Sequence, residues 1–222
     1  NLHQKGVVLK TQGNPGYLEI IEANIFDEKQ LNSLFENKDV CINLVGVLYE
    51  KGKNTFKNIH DNFPTIVSKI CSKKKIKQFI HISALGTEKA KDSNYAISKL
   101  NGEKNIFNNF VKSTILRPSL VYSVDDNFTT NMMSLLSILP FFPLYYDGKT
   151  KFSPIHVSEM ADIILNIVDK NICSEIIECV GPDVITFKEI IEKLSILIDK
   201  KRILIPLPSI IAKINVALLE KF

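Results

Sequence analysis

The sequence predicts an α/β fold, a doubly wound parallel sheet with a smaller C-terminal lobe. Three observations predict it. Short apolar, β-branched runs alternate with longer amphipathic ones in the order βαβαβαβ over about the first 120 residues, which is how parallel sheets with crossover helices are written. The run "VCINLVG" (40–46) is continuously apolar and ends in glycine, as strands covered on both faces are. Beyond Ser119 the rhythm changes, and "LPFFPLYYDGKTKFSP" (139–154) is rich in proline and aromatics.

Taken in order, "YLEIIEAN" (17–24) reads as a strand, and Asp27 caps a helix through about Phe35. The strand at 40–46 follows. A long helical stretch then runs from about Thr55 to Ser72, with Pro64 kinking or interrupting it. "QFIHIS" (78–83) is the next strand, 93–110 a helix, and "STILRPS" (113–119) another strand. In "VYSVDDNF" the adjacent Asp125 and Asp126 cap a helix beginning near Phe128 and running over 128–139. A helix at 158–169, strand "EIIECVG" (175–181), helix 186–199, strand "RILIP" (202–206) and a last helix complete the chain. The expected division is a core over 1–120 and a lobe over 121–222, with about 151–170 returning to the core. No internal repeat and no low-complexity linker interrupts it.

Composition narrows the function classes. Hydrophobic residues make up 45% of the 222 and charged residues 23%, enough for a core and unlike a disordered chain. The net charge is +4. The one basic cluster, "KKKIK" (73–77), follows a helical pattern, where cations favour the helix C-terminus. No aromatic-interleaved basic stripe supports nucleic-acid binding. The four cysteines have no C-x-x-C spacing, and Cys41 and Cys179 lie in apolar strand runs, which reads as a reducing compartment without disulfides or zinc. His3, His60, His81 and His156 form no ligand spacing, so no metal site is expected. His81 alternates with Ile80 and Ile82 and reads as a satisfied core histidine. No secretory pattern stands at the visible start. The apolar tail 203–222 contains two prolines and Lys213 and is too interrupted to span a bilayer; it reads as a buried helix, with a membrane surface or a partner as alternatives.

The stretch "SNYAISKLNGEK" (93–104) carries the chemistry. Tyr95 and Lys99 stand at i and i+4 and project from one helix face. A free phenol has a pKa of about 10 and exchanges protons poorly at neutral pH, while a nearby ammonium favours the phenolate. By itself Y-x-x-x-K is common, and most copies are surface helix. Here it follows a strand ending at Ser83, whose hydroxyl could hold a substrate oxygen, and precedes one ending in "LRPS" (116–119). With "NLVG" (43–46) these converge on the carboxyl edge of the sheet, where ligands bind in open α/β folds.

"NLVG", "HISALG", "YAISK-x-x-GE", "LRPSLVY" and "SPIHVSEMA", in this order, resemble the extended and atypical short-chain dehydrogenase/reductases, which have a Rossmann-like fold. More narrowly, "INLVGVLYE", "FIHISALG", "SKLNGEK" and "LRPSLVYSVDDNF" are similar to the branch that contains the nucleotide-binding accessory subunit of respiratory complex I and bacterial relatives of the NAD-dependent epimerase/dehydratase kind. The resemblance covers nearly the whole chain. It implies a bound NAD(H) or NADP(H), with Tyr95 as acid/base and Lys99 on the nicotinamide ribose. Asn24 and Ile25 would stand near the adenine, where many relatives have aspartate. Val45 and Gly46 would line the adenosine side, and Pro118 and Leu120 the nicotinamide side. Ser83 is the weakest member, because many relatives carry the reactive hydroxyl one or two residues later, where this chain has Ala84 and Leu85. His156 would be a structural landmark where the chain returns to the core.

The family's glycine-rich pyrophosphate turn is not in this sequence. By the family's register it would lie upstream of Asn1, so the native protein is expected to be longer, and the choice between NADH and NADPH is out of view. The leading functional expectation is a nucleotide-binding protein associated with complex I or quinone metabolism, holding its cofactor for structure or sensing. The implied partners are complex I subunits or membrane-associated quinone enzymes. The implied location is the cytoplasm, or the mitochondrial matrix in a eukaryote, peripheral on the inner membrane. The alternatives are an active oxidoreductase or epimerase/dehydratase in which Tyr95 moves a proton while the nicotinamide moves hydride, and a non-catalytic α/β interaction domain.

Overall fold

The computed structural model describes residues 9, 13–14, 16–124 and 126–207. The expected last helix, Asp125, His3 and the tail beyond Leu207 lie outside the described residues. Four parallel strands form the main sheet in the order β1 (Val40–Asn43), β2 (Gln78–Ile82), β3 (Ser113–Pro118) and β8 (Glu175–Cys179). Both faces of the central strands are covered, which is why their residues are almost all buried. Phe79 packs toward α2 (Phe63–Lys74) and α3 (Asn94–Asn109) with Val67, Cys71, Ile106 and Ile115. Ile80 packs on the other face with Leu116, Met160 and Ile167 of α5 (Val157–Asp169).

Local chemistry accounts for the helix ends. Asp27 accepts the N–H groups of Lys29 and Gln30 and starts α1 (Glu28–Leu34). Ser93 accepts the Ala96 N–H and starts α3, and Asp126 accepts the Thr129 N–H and starts α4 (Asn127–Ile138). The lysine cluster falls as expected: Lys73 and Lys74 are in the last turn of α2, and Lys75 takes the left-handed conformation that ends it. His156 caps α5 through a reciprocal box with Glu159. Cys41 and Cys179 sit in β1 and β8, and all four cysteines are free.

The stretch around Pro64 is one helix of two kinds. Residues Lys57–Asn62 form a π-helical turn that runs directly into α2, with Pro64 in the first turn of the α-helical part. Proline has no N–H to offer the carbonyl four residues back, which is that of His60, and a wider turn accommodates the break. The freed carbonyl lies against α3 at Gly102, where an added Cβ would fall far inside the radius of the His60 oxygen.

One expected strand is not there. Residues 17–24 form no strand, because a strand exists through hydrogen bonds to a neighbour, and among the described residues β1 is paired only with β2. Tyr17 is 88% exposed, and Leu18 and Ile21 are exposed as well. The segment ends in a turn in which the Asn24 side-chain oxygen accepts the Phe26 N–H at 3.0 Å. Apolar β-branched composition supplied the propensity, and no partner supplied the ladder.

Beyond β3, the short strands β4 (Val121–Tyr122) and β7 (Ile155–His156) pair in parallel, and β6 (Lys151–Phe152) pairs antiparallel with β9 (Ile185–Thr186). β5 (Phe141–Tyr145) pairs in parallel with β10 (Ile203–Leu207). β5, β6, β9, β10, α4 and α6 (Phe187–Leu197) enclose a second core around Leu136, Phe142, Leu144 and Ile191, while Val121 of β4 and Ile155 of β7 pack with the main core. The Arg202 guanidinium joins them by donating to the carbonyls of Leu136 and Ser137 at the end of α4. The chain returns to the main sheet twice, through α5 and through β8. Gly181 lets the end of that second pass lie against the Pro154 carbonyl, in space a Cβ would occupy.

Candidate nucleotide site

Because the main strands are parallel, the ends of β1, β2 and β3 lie on one edge. The ladder between the last two continues past the strands, with the Ser83 N–H donating to the Leu116 carbonyl at 2.7 Å and the Leu85 N–H to the Pro118 carbonyl at 2.9 Å. After β1, the Val45 N–H donates to Asn43 Oδ1 at 3.0 Å, which turns the chain toward Gly46.

Helix α3 presents a polar face to this edge. Its buried residues are Ala96, Ser98, Lys99, Gly102, Glu103 and Ile106, and with Tyr95 the polar ones follow helical spacing at i, i+3, i+4 and i+8, with Gly102 on the same face at i+7. Lys99 is buried, and its Nζ donates to the Ile82 carbonyl at 3.1 Å. Burial lowers its pKa to about 8, while the Glu103 carboxylate raises it. A Cβ built at Gly46 would lie 3.5 Å from that Nζ and 3.8 Å from His60 Nε2. These are ordinary contacts, so packing among the described residues does not itself require glycine there.

The Tyr95 ring centroid lies 5.9 Å from Lys99 Nζ. The expectation that the ammonium draws the phenol pKa down is not met: burial raises it. The cation gives its hydrogen bond to a main-chain oxygen, and desolvation of the phenolate prevails.

Ser83 is buried, and its hydroxyl donates to the Glu103 carboxylate. Glu103 in turn receives the Arg117 guanidinium, with Nη2 at 2.6 Å and Nε at 3.2 Å, and Arg117 also reaches Glu88 at 2.9 Å. The hydroxyl is therefore committed to a buried ionic cluster. His81, expected to be fully satisfied, is half so. Asn43 Nδ2 donates to its Nδ1 at 3.0 Å, while Nε2 is buried without a partner among the described residues. Burial first, then Lys99 and His60, lower its pKa to about 3.

The remaining expected contacts are more dispersed. Asn24 shapes the turn before α1, and Ile25 packs against the main core. Pro118 ends β3 on the shared edge. Leu120 faces the lobe, where it packs against the second core and lines a cavity of about 400 Å³ with Tyr122, Thr129, Pro154, Ile185 and Leu194. The sequence reading missed Asn43, Ser98, Glu103 and Arg117. Ser98 and Glu103 were legible in principle, since they share the helical face of Tyr95 and Lys99, and Arg117 is a charge inside an apolar strand. Among the described residues no group of three or more His, Cys, Asp or Glu gathers as a metal site would need, and no helix is long and apolar enough to cross a membrane.

No protein-family model matches the chain. It is 25% identical over 214 residues to the mitochondrial NADH-ubiquinone oxidoreductase 40 kDa subunit of Neurospora crassa, covering 96% of this chain and 56% of that protein. It is 26% identical over 208 residues to the mitochondrial NADH dehydrogenase [ubiquinone] 1 alpha subcomplex subunit 9 of Arabidopsis thaliana, covering 92% of this chain and 52% of the relative. The chain thus spans about half the length of the relatives it matches. In fold it is similar to UDP-glucuronic acid 4-epimerase from Bacillus cereus, solved with UDP-glucuronic acid and NAD, with a TM-score of 0.75 at 22% identity over 93% of this chain and 73% of that one. It is also similar to dTDP-4-dehydrorhamnose reductase from Bacillus anthracis, solved with NADP, with a TM-score of 0.73 at 16% identity over 92% of this chain and 80% of that one. The chain is thus similar in sequence to these NADH-ubiquinone oxidoreductase subunits, and its fold is Rossmann-like, as in this epimerase and this reductase.

Proposed function

We propose that this chain is the nicotinamide-dinucleotide-binding part of an accessory subunit of complex I, or of a related membrane-associated quinone enzyme, and that it holds the nucleotide for structure or sensing. One observation carries the binding: the Val45–Gly46 turn, Lys99 and Tyr95 converge on the carboxyl edge of a parallel sheet, with a glycine that no neighbour among the described residues demands. Val45 and Gly46 would line the adenosine side, Lys99 the nicotinamide ribose, and Pro118 the nicotinamide side. When bound, such a cofactor supplies hydride chemistry. The weight given to retention over turnover comes from Ser83, whose hydroxyl is occupied by Glu103, and from the Tyr95 phenol, whose pKa burial raises rather than lowers. The names of the relatives support a mitochondrial location, and a peripheral position on the inner membrane is part of the proposal.

The native-length protein, purified and denatured in acid, is expected to release close to one NAD(H) or NADP(H) per chain by mass spectrometry. A preparation that carries none and takes up neither when either is added would sink the proposal. Co-migration with respiratory complexes after gentle membrane solubilisation tests the partner.

The second reading, an active oxidoreductase or epimerase with Tyr95 as acid/base, is favoured by the intact Tyr95–Lys99 pair on one helix face. Under it, Tyr95→Phe abolishes turnover, by about 100-fold or more, with nucleotide affinity little changed. Under the retention reading, Tyr95→Phe leaves the cellular role intact.

A further inference from the structure

We infer that His60 is a positioning residue that locks the Gly46 turn to the Tyr95–Lys99 helix, so that the two halves of the nucleotide site are set by one neutral imidazole. The inference rests on the nucleotide-binding reading above.

The ring is buried, and each nitrogen has one partner. The Val47 N–H donates to Nε2 at 3.1 Å. A backbone amide can only donate, so Nε2 carries the lone pair and the ring proton resides on Nδ1. Nδ1 lies 3.1 Å from Ser98 Oγ and therefore donates to it, and Ser98 Oγ donates to the Tyr95 carbonyl at 2.7 Å. A single directional chain of hydrogen bonds thus runs from the turn after β1, through the π-helical segment, into the first turn of α3. Only the neutral Nδ1–H tautomer completes it. Burial first, and then the Lys99 charge, lower the imidazole pKa to about 4, which agrees with that state.

Ring contacts repeat the hydrogen-bonded connection. The imidazole meets the Tyr95 ring edge-on at 5.1 Å between centroids and stacks on Phe56 at 5.5 Å. The backbone adds a third grip, since the His60 carbonyl is the one lodged against Gly102. Tyr95, Ser98 and Gly102 occupy one face of α3, and His60 touches all three. A core histidine with no such role would not need a fixed tautomer bridging two separate elements of one site.

The test uses the native-length protein and titrates NADH and NADPH by fluorescence, following whichever binds more tightly. His60→Phe keeps ring packing and removes both hydrogen bonds; its affinity should fall about ten-fold. His60→Gln restores an acceptor for Val47 and a donor for Ser98, and should bind within about three-fold of wild type. Both are measured at a temperature where circular dichroism shows the protein folded. In the wild type, ¹⁵N-histidine spectra should give the Nδ1–H tautomer for His60, with its ring resonances shifting on saturation with nucleotide. A wild type that binds neither nucleotide refutes the binding reading. A wild type that binds, with His60→Phe equal to it or His60→Gln as weak as His60→Phe, overturns the positioning role. A His60 resonance unmoved by nucleotide overturns it too, even if both variants fail to fold.

Discussion

Gly102→Ala is expected to lower the melting temperature by roughly 10 °C, from a loss of about 3 kcal/mol or more. The reason is a backbone-to-backbone contact. A Cβ at this position would overlap the His60 carbonyl oxygen, and would sit 3.1 Å from its carbon and 3.4 Å from Pro64 Cγ. No rotamer relieves an overlap with a main-chain carbonyl, so α3 and the π-helical turn must separate. That carbonyl is fixed because Pro64 cannot donate to it and the π-helical turn runs on into α2. Asn101→Ala, on the exposed side of the same helix, is the control; it changes helix propensity alone and should stay within about 0.5 kcal/mol. Thermal melts of the pair decide the matter. A Gly102→Ala protein as stable as the control would mean that the two elements do not meet as described.

Arg117→Met is expected to cost about 3–5 kcal/mol by urea denaturation. Arg117 and Glu103 have side chains only 7% and 2% exposed, and Glu103 receives three hydrogen bonds from the guanidinium and one from Ser83. Removing the cation leaves a buried carboxylate with the Ser83 hydroxyl as its remaining hydrogen-bond donor among the described residues and the Lys99 charge as its only partial compensation there. The double variant Arg117→Met/Glu103→Leu removes both charges and should recover most of the loss, since a buried ion pair is worth little more than apolar groups of similar size. If the double variant is no more stable than the single one, the unpaired carboxylate is not the cause.

The two predictions also mark where the sequence could and could not be read. The central strands within 78–83 and 113–119 were legible because runs covered on both faces need continuous apolar residues, whereas the run at 40–46 gives a strand only over Val40–Asn43 and leaves Ile42, Leu44 and Val45 exposed. The helix starts at Asp27 and Asp126 were legible because a capping side chain sits next to the amides it serves. Tyr95 and Lys99 were found because helical spacing places them on one face. The strand expected at 17–24 was misread because composition cannot name a hydrogen-bonding partner. The lowered phenol pKa was misread because spacing on a helix does not say where a long cation points; Lys99 turns to Ile82. The bond from Ser83 to Glu103 was not legible, because Glu103, twenty residues later, is invisible to local inspection of a strand end.

The sequence by itself determined the order of elements, the buried faces and the residues at the carboxyl edge, because these follow from periodicity, propensity and contacts within a few residues. Only the tertiary structure decided the state of those residues. Ser83 became part of an ionic cluster, Lys99 a main-chain donor, and His60 a link between a turn and a helix, because burial and hydrogen bonding between distant segments fix charge, tautomer and direction.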